Sequence, residues 1–526
     1  MKKFTVLCLA GLLVLAFGAT GYAQAPQLTW SGTGYFDVQT FWDVNVPPRN
    51  TSAGIYASTS PNINAFTKAP LPLNLPASAL NRPVAYWDQR FRIWITGATG
   101  KELSGTLYFE IDASPWGGAS NLTAISREAN NMAAWNADRG AVEVAGAYMD
   151  VGLPYFGIPA PMTMRIGVQP LAIRPIMVVY SDGAGITGGI KLDPVLIKPY
   201  YFKALEGAVQ TADDVDIYGL EATAKVGTFS IGGYGLYYNM NSYPFQVSQP
   251  NATSVAAFGT SLSPQVQGTQ QAKMWWLGVY TDGKLGPVDL NFDFVYDYGR
   301  VVSKGNFDVP NVKYSGWASR LKIDYPLEKF NFGVTGMYAS GADANRTSSS
   351  GQVGSLTATG ELSHRVGSYV VPVGSEQDTA NNESIVVYGM DNGASGGIGI
   401  AKNANYNQLS RGGFGGTWFA KLYSSYKVTR AYKVTVQGLY IGDTTKHGNT
   451  LGNAVQPGTT LARDDKDIGF ELDLINEFQI YNNLKFTLGG GYLFAGDALD
   501  LRQGTLKDNF SPKNPWAVRT RLMYTF

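Results

Sequence analysis

The chain ends on Trp516-Ala517-Val518-Arg519-Thr520-Arg521-Leu522-Met523-Tyr524-Thr525-Phe526. Along an extended strand, side chains alternate between two faces. Trp516, Val518, Leu522, Tyr524 and Phe526 then share one face, while Ala517, Arg519, Arg521 and Thr525 share the other. One wall is apolar and the other charged. Two arginines opposite an oily face suit a barrel that meets lipid outside and water inside. An amphipathic strand of a soluble sandwich alternates in the same way, so the rest of the chain has to decide.

The amino terminus points to a compartment. Lys2 and Lys3 precede an apolar run from Phe4 to Phe17, and small residues follow to Ala25. This is the order of a secretory signal peptide, and the run is too short for a spanning helix. We place the signal at 1–23, with cleavage after Ala23 favoured over Ala25, because Pro26 follows the latter. Cys8, the single cysteine, leaves with it. The mature chain then has no disulfide, thiolate metal site or cysteine nucleophile. Losing Lys2 and Lys3 from 41 basic residues leaves 39 against 40 acidic, a net charge near −1. That balance argues against a nucleic-acid partner.

About 500 residues would fill several soluble domains by length alone. Yet Gly is 62 of 526 residues, Tyr 31 and Trp 11, with only 15% charged. No apolar stretch approaches a membrane helix. A cysteine-free, Gly- and Tyr-rich secreted chain fits one large β architecture, placed at 24–526.

Period-2 reading gives about eighteen strands, with sixteen left open. They fall near 28–42, 84–96, 102–112, 144–153, 162–173, 185–193, 196–204, 215–226, 228–240, 272–284, 287–299, 312–325, 330–340, 415–428, 431–442, 466–479, 484–495 and 514–526. In the third, Leu103, Leu107, Phe109 and Ile111 oppose Glu102, Glu110 and Asp112. Every second connection is tight, as at Gly97–Lys101, Asp193–Val195, Gly227 and Gly286. The others are longer, near 43–83, 113–143, 241–271, 341–414 and 443–465. Short turns at one end and long loops at the other describe an all-β, transmembrane, up-and-down antiparallel barrel. An even strand count puts both termini on one side, the periplasmic one. The segment 341–414, rich in Gly, Ser, Asn and Thr, is either a constriction folded into the lumen or a surface loop.

With the strands laid out, Asp467–Asp497 (DIGFELDLINEFQIYNNLKFTLGGGYLFAGD) resembles the penultimate hairpin of the alginate-export family of outer-membrane barrels. Asp467, Gly469, Glu471, Asp473, Phe494, Gly496 and Asp497 carry the likeness, and Trp87–Gly118 and Ala147–Gln169 fit the same pattern. The strand ending in Phe526 resembles the terminal signature of bacterial outer-membrane barrels. These resemblances imply a porin of the Gram-negative outer membrane, an eighteen-strand barrel passing polar solutes. They also imply partners: outer-membrane lipid and lipopolysaccharide, the barrel-assembly machinery through Phe526, and a homotrimer, although the sequence marks no trimer interface.

Charge facing lipid at midplane costs roughly 2–4 kcal/mol, so strand charges belong in the lumen. By period these are Asp88, Arg90 and Arg92, then Glu102, Glu110 and Asp112, then Arg165 and Gln169. Asp289, Asp293, Arg320, Lys322, Asp324, Lys433, Asp467, Glu471, Asp473, Arg519 and Arg521 complete the set. Opposed walls, Arg519 and Arg521 against Glu471 and Asp473, would set a transverse field at a narrow point. Pairing between neighbouring strands would instead only hold the wall. Trp30, Trp42, Trp87, Tyr325, Tyr440 and Trp516 are the candidate aromatic girdles.

No enzyme is expected. His364 and His447 are the only histidines, and no haem or metal spacing occurs. Gly393-Ala394-Ser395-Gly396-Gly397 matches a nucleophile elbow without its strand–helix context. Asp464, Asp465 and Asp467 read as a solvated turn ahead of a weak Ca²⁺ site. No cofactor is expected. The sequence favours a passive channel for small polar or charged solutes. A dedicated exporter of an anionic polysaccharide, which would need a continuously basic constriction, and a structural barrel sheathing a partner protein stay open.

Overall fold

The computed structural model describes residues 28–45, 84–112, 116, 142–154, 160–206, 213–243, 270–303, 311–347, 361–375, 383–389, 409–459, 461–502 and 509–526. The expected signal peptide at 1–23 and most of the loops near 43–83, 113–143 and 241–271 lie outside these residues.

Eighteen strands form the wall: β1 (Leu28–Val44), β2 (Val84–Thr99), β3 (Leu103–Asp112), β4 (Glu143–Leu153), β5 (Met162–Ile173) and β6 (Val179–Leu192). Then come β7 (Val195–Leu205), β8 (Val215–Val226), β9 (Phe229–Tyr243), β10 (Gln270–Leu285), β11 (Val288–Ser303) and β12 (Val312–Leu327). β13 (Phe330–Ala339), β14 (Thr417–Lys427), β15 (Tyr432–Asp443), β16 (Asp467–Tyr481), β17 (Leu484–Ala495) and β18 (Trp516–Thr525) complete it. Each pairs antiparallel with its neighbours, and β18 closes on β1 with Arg521 opposite Gln39 and Arg519 opposite Phe41. Closure satisfies the backbone groups that an open edge would leave bare in lipid.

The short connections gather at one end. Gly227 and Gly286 take positive φ of 61° and 60°, which lets the chain reverse in a tight turn. Leu28, at the start of β1, lies opposite Thr99 at that end, and Thr525 donates its N–H to Asn483 in the β16–β17 turn. Both ends of the wall therefore sit at the short-turn side.

The expected strand bounds hold to a few residues, with one exception. β6 begins at Val179, six positions before the expected 185. Val178 and Val179 are fully buried inside the barrel, so the connection shrinks and turns inward.

Alternation gives the wall two chemistries. On β10, Trp275, Leu277 and Val279 are exposed on the outside, while Met274 and Trp276 are buried on the inside. Leu107, Leu422, Val436, Leu472 and Leu474 extend the outer apolar belt. Trp30, Trp87, Tyr325 and Tyr440 stand exposed at its margins, and Trp42 packs in a tilted pair, 5.6 Å between ring centres, on half-buried Trp516. Inside, Leu236, Trp276, Val301 and Tyr314 join Val370, Val371, Ile385 and Tyr388 in one apolar cluster. Parts of 341–414 thus lie in the lumen: the described residues favour the inward alternative. Another piece of the same segment, Arg365–Val366, joins the wall as a short parallel strand beside β12.

Candidate functional site: the lumen wall and its constriction

The wall around the β18–β1 seam is built from ion pairs. Arg521 reaches Asp37 at 2.7 Å, and Gln39 donates to the same carboxylate at 2.9 Å. Arg519 pairs with Asp43 and lies 5.1 Å over the Phe41 ring. On β2 and β3, Arg90 and Arg92 flank Glu110 at 3.3 and 2.6 Å, and Tyr108 Oη donates to Glu110 at 2.9 Å. Asp88 stands across from Gln39 and is largely buried. Arg165 pairs with Asp150 at 2.7 Å and lies 4.2 Å from the Tyr148 ring centre.

A polar belt follows on β10–β16. Arg174, in the inward β5–β6 connection, takes positive φ and projects onto the distant wall. It donates to Asp282 at 2.7 Å and to Asp293 at 2.7 Å. Asp282 accepts from Asn291, which accepts from Arg320 at 2.8 Å. Arg320 and Lys421 both grip Glu383, a residue of the inward segment 383–389. Burial alone would raise the Glu383 carboxyl. Lys421 and Arg320 together outweigh that and bring it to about 2.

The same segment hangs on the acids of β16. Glu471 accepts the backbone N–H groups of Val386 and Val387 at 2.5 and 3.0 Å, and the Ser384 hydroxyl at 2.8 Å. Asp473 accepts the Ile385 N–H at 3.2 Å and Gln437 at 2.7 Å. Earlier in the same connection, the Val370 carbonyl accepts Trp276 Nε1 at 2.8 Å, and the Val370 N–H donates to Asp297 at 3.1 Å. Tyr369 donates to the Met177 carbonyl, and Ser375 donates to that of Val178 at 3.1 Å. The two inward connections are thus tied to each other and to the wall.

This arrangement corrects the opposed-wall expectation. Glu471 and Asp473 do line the inner face, but their oxygens hold backbone amides of the constriction. Arg519 and Arg521 answer Asp43 and Asp37 on the adjacent strand. A carboxylate accompanies each of these arginines, so the described residues do not form the continuously basic constriction that polysaccharide export requires.

Asp467 also departs from its expected face. The β15–β16 register slips between Ile441 and Gly442, and Gly469 takes a φ of 141°. The extra residue shifts the alternation, so Ile468 is fully buried and Asp467 is exposed. Its carboxylate accepts from Tyr440, an outward aromatic. A bulge re-aims side chains in just this way.

Nearer the short turns, charges are paired yet open to water. Lys322 meets Asp324 at 3.2 Å, Lys433 meets Glu477, and Lys284 meets Asp289 at 3.1 Å. Their lysines are 38, 39 and 64% exposed. The sequence reading missed Arg174, Lys421 and Glu383. The signal for Arg174 was a single arginine before a proline, and Glu383 sits in a tract without strand period.

Among the described residues, no group of three or more His, Cys, Asp or Glu could hold a metal. Asp464 and Asp465 are answered by Lys466 and Arg463. His447 contacts Asp343 at 2.9 Å, and His364 is exposed. Ser395 and its glycines lie outside the described residues.

No protein family and no curated protein matches the chain, so nothing supports the alginate-export likeness beyond its own residues. Solved structures do match in fold. Pseudomonas aeruginosa OccK8 (OprE) shares 10% identity and a TM-score of 0.46, covering 94% of this chain and 98% of that one. The outer membrane protein OpdK of the same species gives 10%, 0.45, 94% and 98%. Acinetobacter baumannii OccAB3 gives 8%, 0.44, 94% and 99%.

Proposed function

We propose that the chain is an outer-membrane channel through which small polar or charged solutes diffuse passively. One observation carries this reading. The outer face is an apolar belt between aromatic margins, while the inner face carries ionised pairs that stay open to water, such as Arg165–Asp150 and Lys433–Glu477. Charged, wetted side chains inside an oily cylinder are the construction of a water-filled pore. The inward segments narrow it, and the belt from Arg174 to Asp473 holds them. The short-turn end then faces the periplasm and the long connections face outward.

The test is single-channel conductance of the purified mature protein in a planar bilayer, with reversal potentials and sugars as blockers. Stable ohmic steps are the expected result. Folded, heat-modifiable protein that carries no current would overturn the open-channel reading.

A further inference from the structure

The outer face holds one row of charge that the channel does not use. At the long-connection end of β10, β11 and β12, Lys273 lies opposite Arg300, and Arg300 opposite Lys313. Lys313 in turn lies opposite Arg365 of the short parallel strand. All four side chains are exposed. They point outward, because the residues beside them (Ala272, Met274, Val301, Val312, Tyr314) are buried on the inner face. Directly paired strands lie about 4.8 Å apart, so the row spans roughly 15 Å.

Like charges opposite one another repel. Farther along the same register, the chain neutralises such a charge. Lys203 is held by Asp214 at 2.8 Å, Glu206 at 3.1 Å and Asp216 at 3.4 Å. Among the described residues, no ion pair is formed by Lys273, Arg300, Lys313 or Arg365. The connections 244–269 and 304–310 between these strand ends contain one acid, Asp308, and one further base, Lys304. The height of the row says what would meet it. Trp275 and Tyr298 are exposed two residues nearer the apolar belt, about 7 Å below. Aromatics of this kind mark the lipid interface, and cations just beyond them stand at headgroup level.

We propose that Lys273, Arg300, Lys313 and Arg365 form a binding site for the phosphate groups of an anionic glycolipid in the surrounding leaflet. The proposal rests on the membrane placement argued above. Guanidinium groups grip phosphate bidentately, and the two lysines add point charge. The occupant is a lipid headgroup and not a permeating solute, because the row faces away from the lumen. Filling the site would remove the repulsion along the row and tie the barrel to its leaflet.

The full mature chain, folded in detergent, is titrated with bis-phosphorylated lipid A, with its dephosphorylated form, with inorganic phosphate and with poly-L-glutamate. Binding is read by native mass spectrometry. A variant carrying Lys273→Gln, Arg300→Gln, Lys313→Gln and Arg365→Gln is measured beside it. We expect wild type to bind lipid A at least ten-fold more tightly than it binds the dephosphorylated lipid, and the variant to lose that preference. Equal binding of both lipids by wild type would overturn the proposal without recourse to the variant. So would a folded variant that keeps the preference. Loss of poly-L-glutamate binding alone would assign the row to an acidic protein partner, and equal displacement by inorganic phosphate would reduce it to a free-ion site. Conductance of the same preparations is recorded separately. Absence of current with lipid preference intact would overturn the channel reading only.

Discussion

Arg320 on β12 and Glu383 in the inward segment meet at 2.6 Å, although 63 residues separate them in the chain. Lys421 grips the same carboxylate from β14, so one acid fastens the constriction to two stretches of wall. Removing one partner of a buried ion pair costs about 3–5 kcal/mol. Glu383→Gln should therefore loosen the constriction by that order while leaving the closed wall intact. The expected outcome is larger and noisier single-channel current from protein that still shows normal heat modifiability.

The same carboxyl sets a pH response. Its value falls from 4.5 in the free chain to about 2 when docked. The stabilisation is fully present above about 4.5 and is lost as pH falls through about 2, a contribution of roughly 3 kcal/mol. Through Glu383, channel noise should rise as pH falls below about 4.5. Glu383→Gln should abolish that acid limb. A recording in which wild type and variant share the same acid limb would remove Glu383 from the response.

Arg174 holds Asp282 and Asp293 from across the lumen. Arg174→Met deletes a cation and frees two carboxylates beside the passage. Reversal potentials in a salt gradient should move toward cation preference, and Asp293→Asn in the same background should move them back.

Not every wall pair should matter equally. Arg519 is 2% exposed beside Asp43, while Arg165 and Asp150 are 37 and 40% exposed. Arg519→Gln should cost about 3–5 kcal/mol of barrel stability, and Arg165→Gln about 0–1 kcal/mol. Urea unfolding in vesicles, followed by gel mobility, measures both.

The lipid face has its own test. Leu422, 66% exposed near the middle of β14, should tolerate Ala but not Arg. Leu422→Arg is expected to cost roughly 2–4 kcal/mol and to lower the yield of folding into vesicles, while it leaves the lumen charges untouched.

Strand period made most of this molecule readable before any fold was seen. Leu107 and Glu110 are both polarised by the pleat, so their faces follow from counting by twos. The count broke at Gly469, where one extra residue carried Asp467 outward. Nothing in the local residues of a strand announces a bulge except a glycine, and this chain has many. The constriction was harder still. Glu383 owes its position to Arg320, Lys421 and Gln437, three residues on three strands. Arg174 owes its own to acids more than a hundred positions away. Such partners have no period and no spacing, so the chemistry of the lumen's narrow part is set by closure and not by any local stretch.

The dependence of segment 383–389 on Glu471 and Asp473 also has a temporal side. These acids are synthesised after the segment they hold, on the third strand from the end. Until β16 is in place, the amides of Ile385, Val386 and Val387 lack their carboxylate acceptors. The narrow part of the lumen is thus a late product of assembly, set nearly together with the β18–β1 seam, and an intermediate lacking its last strands would expose unpaired amides that a chaperone could recognise.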